Sequence, residues 1–146
     1  MGAADKSTGP QFNSAAAINA KLSEVRRKDP RYTLDAYRFV LFEAIEYTSA
    51  RMLRLGETER RHLSGAELAE GMRRLALENF GFMAYDVWTS WGIKETRDLG
   101  EIVFNLVEAD LLKTTPEDRI EDFDNVYDIR QGLRDSFRFE EVVSEQ

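Results

Sequence analysis

The chain has 146 residues, 42% hydrophobic and 32% charged, a composition that suits one globular domain with a buried core. It contains no cysteine, which excludes disulfides, thiolate metal sites and cysteine nucleophiles. Its net charge of −7 is uneven: residues 1–62 hold 11 basic and 8 acidic side chains, residues 63–146 hold 9 and 19, so the second half disfavours nucleic-acid phosphates and anionic membranes.

Residues 1–13 are polar and read as a flexible arm without the pattern of a signal peptide. From Ser14, a cap residue, Ile18, Leu22 and Val25 recur at helical spacing, and Arg26-Arg27-Lys28 suits the negative pole of that short helix. Asp29-Pro30 ends it. A long helix is expected from about Thr33 to Leu55, where Gly56 can take the left-handed closing position. Residues 57–62 form a polar loop, and Ser64-Gly65-Ala66-Glu67 is a capping box for the next helix. Gly71 inside that helix costs about 1 kcal/mol against alanine and points to close packing. Phe80-Gly81 breaks the chain, and 82–91 forms a ring-rich helix closed by Gly92-Ile93.

Residues 96–112 form the most apolar helix, with Thr96 as cap. Leu99, Ile102, Val103 and Leu106 make one face; Phe104, Val107 and Leu111 make a second. The strip left polar is Asp98, Glu101, Asn105 and Glu108. This helix is expected at the centre of the molecule. A polar connection follows, then a short strand or extended segment over 123–129 and a last helix or hairpin return to Phe139. The reading is mainly α, a compact domain of four or five helices with a short extended or hairpin element near the C-terminus. Residues 1–28 are an arm with a short helix, 29–139 the helical domain and 140–146 a polar tail. The helix order also fits a winged-helix-like arrangement, with 113–125 as the wing. DNA reading through the central helix is disfavoured, because 95–128 hold 11 acids and 3 bases.

Asp29-Pro-Arg-Tyr32, Tyr47-Thr48, His62-Leu-Ser-Gly65, Trp91-Gly92-Ile93, Gly100-Glu-Ile-Val-Phe-Asn-Leu-Val-Glu108, Leu111-Leu112 and Asp122-Phe-Asp-Asn-Val-Tyr-Asp128 together resemble a family of small bacterial proteins that carries a placeholder name. The resemblance spans roughly residues 29–137 and implies one compact domain. It supplies no catalytic residue. Members often carry proline after the Phe-Gly pair, where Phe82 stands here.

Several constellations compete as sites. Glu43 with Glu46, and Glu67 with Glu70, lie at i, i+3, so each pair shares a helical face and could hold Mg²⁺ if the helices faced each other. The chain has six such acid pairs against about five expected by chance, so these four are weak metal candidates and no cofactor is expected. Asp122-Phe-Asp124-Asn125 lacks the ligand and glycine a calcium loop needs. His62 is the single histidine and fits a surface or cap-packing role. Tyr85, Trp88 and Trp91 are core or partner anchors. Arg51, Arg54, Arg60 and Arg61 form a basic cluster suited to an acidic surface; with Asp98, Glu101, Asn105 and Glu108 they are the interaction candidates.

The leading expectation is a non-enzymatic protein–protein interaction or regulatory module of the cytoplasm, with a protein partner or self-association. One alternative is a Mg²⁺-dependent enzyme acting on a phosphorylated small molecule. Another is a nucleic-acid-associated regulator using the basic first half. DNA is disfavoured as a partner, and no apolar run approaches the roughly 20 residues that span a bilayer.

Overall fold

The computed structural model describes residues 2–3, 14–56 and 62–135. Its elements are β1 (Gly2–Ala3), α1 (Ala15–Lys28), α2 (Leu34–Arg38), a π-helical segment (Phe39–Ala44), α3 (Ile45–Arg54), α4 (Gly65–Phe80), a 3-10 turn (Gly81–Met83), α5 (Ala84–Ser90), α6 (Thr96–Glu108), β2 (Leu112–Lys113), a 3-10 turn (Ile120–Phe123) and a π turn (Gln131–Asp135). The mainly α reading holds. No helix among the described residues is long and apolar enough to cross a membrane.

Helix ends follow local chemistry. Ser14 and Thr33 cap α1 and α2 through their hydroxyls, which accept from Ala17 and Ala36 N–H. Ser64 and Glu67 complete the reciprocal box at α4. At the end of α5, Ile93 N–H reaches the Trp88 carbonyl and Gly92 N–H the Thr89 carbonyl, with Gly92 at φ +96°. A second closure of this kind ends α6, where the left-handed residue is Asp110 at φ +62°.

Helix α6 runs through the centre, with Leu99, Ile102, Val103 and Leu106 buried. The segment Leu34–Arg54 is one continuous rod, and the π stretch in it adds a residue to one turn. It packs closely along α4: a Cβ on Gly71 would strike the side chain of buried Thr48, whose hydroxyl donates to Ala44 O at 2.7 Å. The packing role expected of Gly71 is thus explained.

Three expectations are corrected. Thr96 is not the cap of α6. Glu95 holds that position, and Asp98 accepts from the N–H groups of Lys94 and Glu95 at 2.8 and 3.0 Å. Thr96 is buried instead; its hydroxyl donates to Phe123 O at 2.5 Å and accepts from Val126 N–H at 3.1 Å. The extended segment over 123–129 is likewise absent: the chain makes a 3-10 turn and drives Phe123 between Gly65 of α4 and Gly100 of α6, where any Cβ would meet its ring. Finally, no hairpin wing forms among the described residues of 113–125. Strand β2 pairs antiparallel with β1, setting Gly2 opposite Lys113 and Ala3 opposite Leu112, so two residues expected in a flexible arm are paired.

Candidate functional site

The polar strip of α6 faces the loop between α1 and α2. Asp29, at the end of α1, accepts from Arg31 Nε and Nη2 at 2.8 and 2.7 Å, and from Asn105 Nδ2 at 2.7 Å. The paired guanidinium of Arg31 holds the Asp29 carboxyl down to about 2, against the opposing pull of burial. Asn105 Nδ2 also reaches Tyr37 Oη at 3.1 Å, and that hydroxyl donates to Asp29 O at 3.2 Å. Burial pushes the Tyr37 hydroxyl up to about 12. Tyr32 Oη donates to Asp98 at 2.5 Å, and burial together with that carboxylate raises the tyrosine well above its ordinary value. Glu101 lies 3.4 Å from Arg31 and 3.8 Å from Arg97, which pairs with Asp124 at 3.0 Å. Three interaction candidates, Asp98, Glu101 and Asn105, therefore join a polar clasp that locks the 29–33 loop onto α6. Exposed Glu108 borders a cavity of about 200 Å³ with Lys21, Glu24 and Lys28.

The carboxylate pairs are dispersed. Glu43 accepts from Asn79 Nδ2 at 3.2 Å, and Asn79 lies twelve residues along α4 from Glu67, a rise of about 18 Å. Glu67 serves the cap, while Glu70 lies 2.6 Å from Arg73 and 3.2 Å from Arg74. Burial pushes the Glu70 carboxyl up, but these arginines leave it below its ordinary value. Glu46 is exposed on α3. Among the described residues no group of three or more His, Asp or Glu could hold a metal. His62 Nε2 sits 2.6 Å from Asp118, tying α4's entry to the 115–118 turn. Arg51 is half-buried and lowers the Glu70 carboxyl by its charge; Arg54 is exposed; Arg60 and Arg61 lie outside the described residues.

The aromatic trio divides by role. Trp88 is fully buried and packs on Phe39 at 6.1 Å between ring centroids. Tyr85 lies beneath the Arg134 guanidinium at 5.0 Å, and Arg134 pairs with Asp86 at 2.7 Å. Trp91 is half-buried, between Phe39 at 5.4 Å and Phe80 at 5.7 Å. Phe39, Phe80 and Trp91 wall an open groove of about 670 Å³ between the α2 end of the rod, the end of α4, and α5. Val87 extends the apolar floor, and Phe42, 51% exposed, stands at its edge. Asp35, Arg38 and Glu43 line the same groove and are all exposed. The sequence pointed to Trp91. It missed Phe42, because that residue falls in an apolar run that reads as uniform core. The only available signal was its misfit to a strict 3.6 period.

A groove of rings with a charged rim and the Ser90 hydroxyl can bury apolar side chains and orient charges. No family model, no curated protein and no solved structure matches the chain.

Proposed function

We propose that this protein is a non-enzymatic interaction module that docks a protein through the Phe42–Trp91 groove. The observation that carries this reading is Phe42. A phenylalanine more than half exposed, beside a groove floored by Phe39, Phe80 and Trp91, leaves apolar area in water that a partner would bury. Burying such a side chain is worth about 1.5–3 kcal/mol, and aromatic anchors in pockets dominate interface energies. Charges of both signs on the rim add orientation and partner choice more than affinity. A bacterial setting belongs to the same reading and rests on the family resemblance; the cytoplasm is proposed from the sequence's lack of a signal-peptide pattern and of a long apolar run.

The test is site-specific photo-crosslinking in the cells that make the protein. Phe42→p-benzoylphenylalanine is expected to give a discrete protein adduct on irradiation, and the same probe at exposed Arg26 of α1 is not. A position-42 probe that traps no protein, or traps the same set as position 26, would overturn the docking reading.

A further inference from the structure

We infer that the occupant of this groove is a second copy of the same chain, docked about a two-fold axis. The inference rests on the docking reading above and adds the identity of the partner. A two-fold contact lays a patch against itself, so the patch must be self-complementary in shape and charge. Arg38 and Glu43 both line the groove, and Phe42 lies between them in the chain. An axis passing between Arg38 and Glu43 sets the arginine of each copy against the Glu43 carboxylate of the other, twice over, and brings the two Phe42 rings together. Arg38 makes no ion pair among the described residues, and neither does Asp35 on the same rim. Glu43 accepts from the neutral Asn79 amide, which leaves its charge unbalanced. Some charges elsewhere are matched, Glu24 with Arg27 and Asp86 with Arg134, while exposed Arg26, Lys94 and Glu108 make no ion pair among the described residues.

The net charge of −7 opposes self-association in general. That repulsion is screened beyond about 8 Å at physiological salt, whereas the paired charges at the contact are within its reach. The local pattern therefore prevails over the global one.

The experiment is sedimentation velocity on the full chain, with charge reversal and complementation. The parent protein is expected at twice its 16.8 kDa chain mass at micromolar concentration. R38E and E43R each place like charges at both symmetric contacts and should weaken the dimer about 100-fold, giving monomers. An equimolar mixture of the two restores the double mass, because one chain then presents two acids to two arginines of the other. Both side chains are exposed, so each variant should keep the parent's circular dichroism and melting transition. Phe42→Ser, also at the surface, should give monomers by removing the central contact. A parent chain that stays at 16.8 kDa up to about 100 µM, or reversals that fail to complement, would overturn self-association. If the chain is monomeric while position 42 still traps a different protein, the docking reading stands and the second copy falls. If neither occurs, both fall.

Discussion

Asp29, at the end of α1, gathers polar bonds from three residues against the α6 strip. Its side chain takes the Arg31 fork and the Asn105 amide, and its carbonyl takes the Tyr37 hydroxyl. The folded carboxyl titrates near 2, below its ordinary 3.8, so folding binds fewer protons at this site than the unfolded chain does. That stability is present in full above about pH 4 and is lost as pH falls through 2. Solvent screening at this part-exposed pair keeps the contribution to about 1 kcal/mol. Asp29→Asn is expected to lower stability at pH 7 by about 1–2 kcal/mol, since the clasp loses its charged acceptor. Urea titrations at a series of pH values provide the check: the variant's stability should fall less than the parent's between pH 4 and pH 2. Identical acid limbs would show that Asp29 is not held down by Arg31. Its strongest partner, Arg31, is two residues on, but the Asn105 contact has no local mark. In the sequence Asp29 is the residue before a proline, and its partner Asn105 lies 76 positions away.

Element by element, what could be read from the chain is what its neighbours in sequence decide. The Ser14 cap, the Ser64–Glu67 box, the Gly92-Ile93 closure and the four inward positions of α6 depend on residues within one or two turns, and all are present. What stayed hidden depends on distant partners. Gly65 reads as an ordinary first-turn residue and Gly100 as a helix-weakening one, yet Asp122 Cβ and the Phe123 ring lie against the first and Phe123 against the second. Gly100→Ala would put a methyl 2.9 Å from that ring, and relief requires moving either α6 or the whole 120–126 segment. The expected cost is about 1–3 kcal/mol despite the better helix propensity of alanine. Thermal melts of the variant check it: a raised Tm would mean that propensity decides and the wedge is loose. The winged-helix expectation failed for the same reason. Whether 113–125 folds back as a hairpin is settled by Phe123 docking onto two helices, and that contact has no local signature.

At the scale of the molecule, the buried residues form one hydrophobic cluster that reaches from Leu22 of α1 to Leu133 near the end of the described chain. Trp88 sits inside it and Trp91 at its margin. A single core implies a single cooperative transition. Denaturant unfolding followed by tryptophan fluorescence and by far-ultraviolet circular dichroism is expected to give coincident curves; separate midpoints would show that the groove side melts on its own. The central place of α6, read from its apolar girth, holds at this scale. On its polar edge, Asp98, Glu101 and Asn105 join the clasp. The rod Leu34–Arg54 must satisfy two clients that look in different directions: the groove, served by Phe42, and the Thr48 seat against Gly71. The wider turn at Phe39–Ala44 supplies the angular offset between them. Removing one residue from that turn would leave an unbroken helix but swing everything beyond it by about 100°, so that either the outward ring or the seat on α4 would be out of phase. The widened turn thus works as a coupling, keeping the surface contact and the interior contact in step along one piece of backbone.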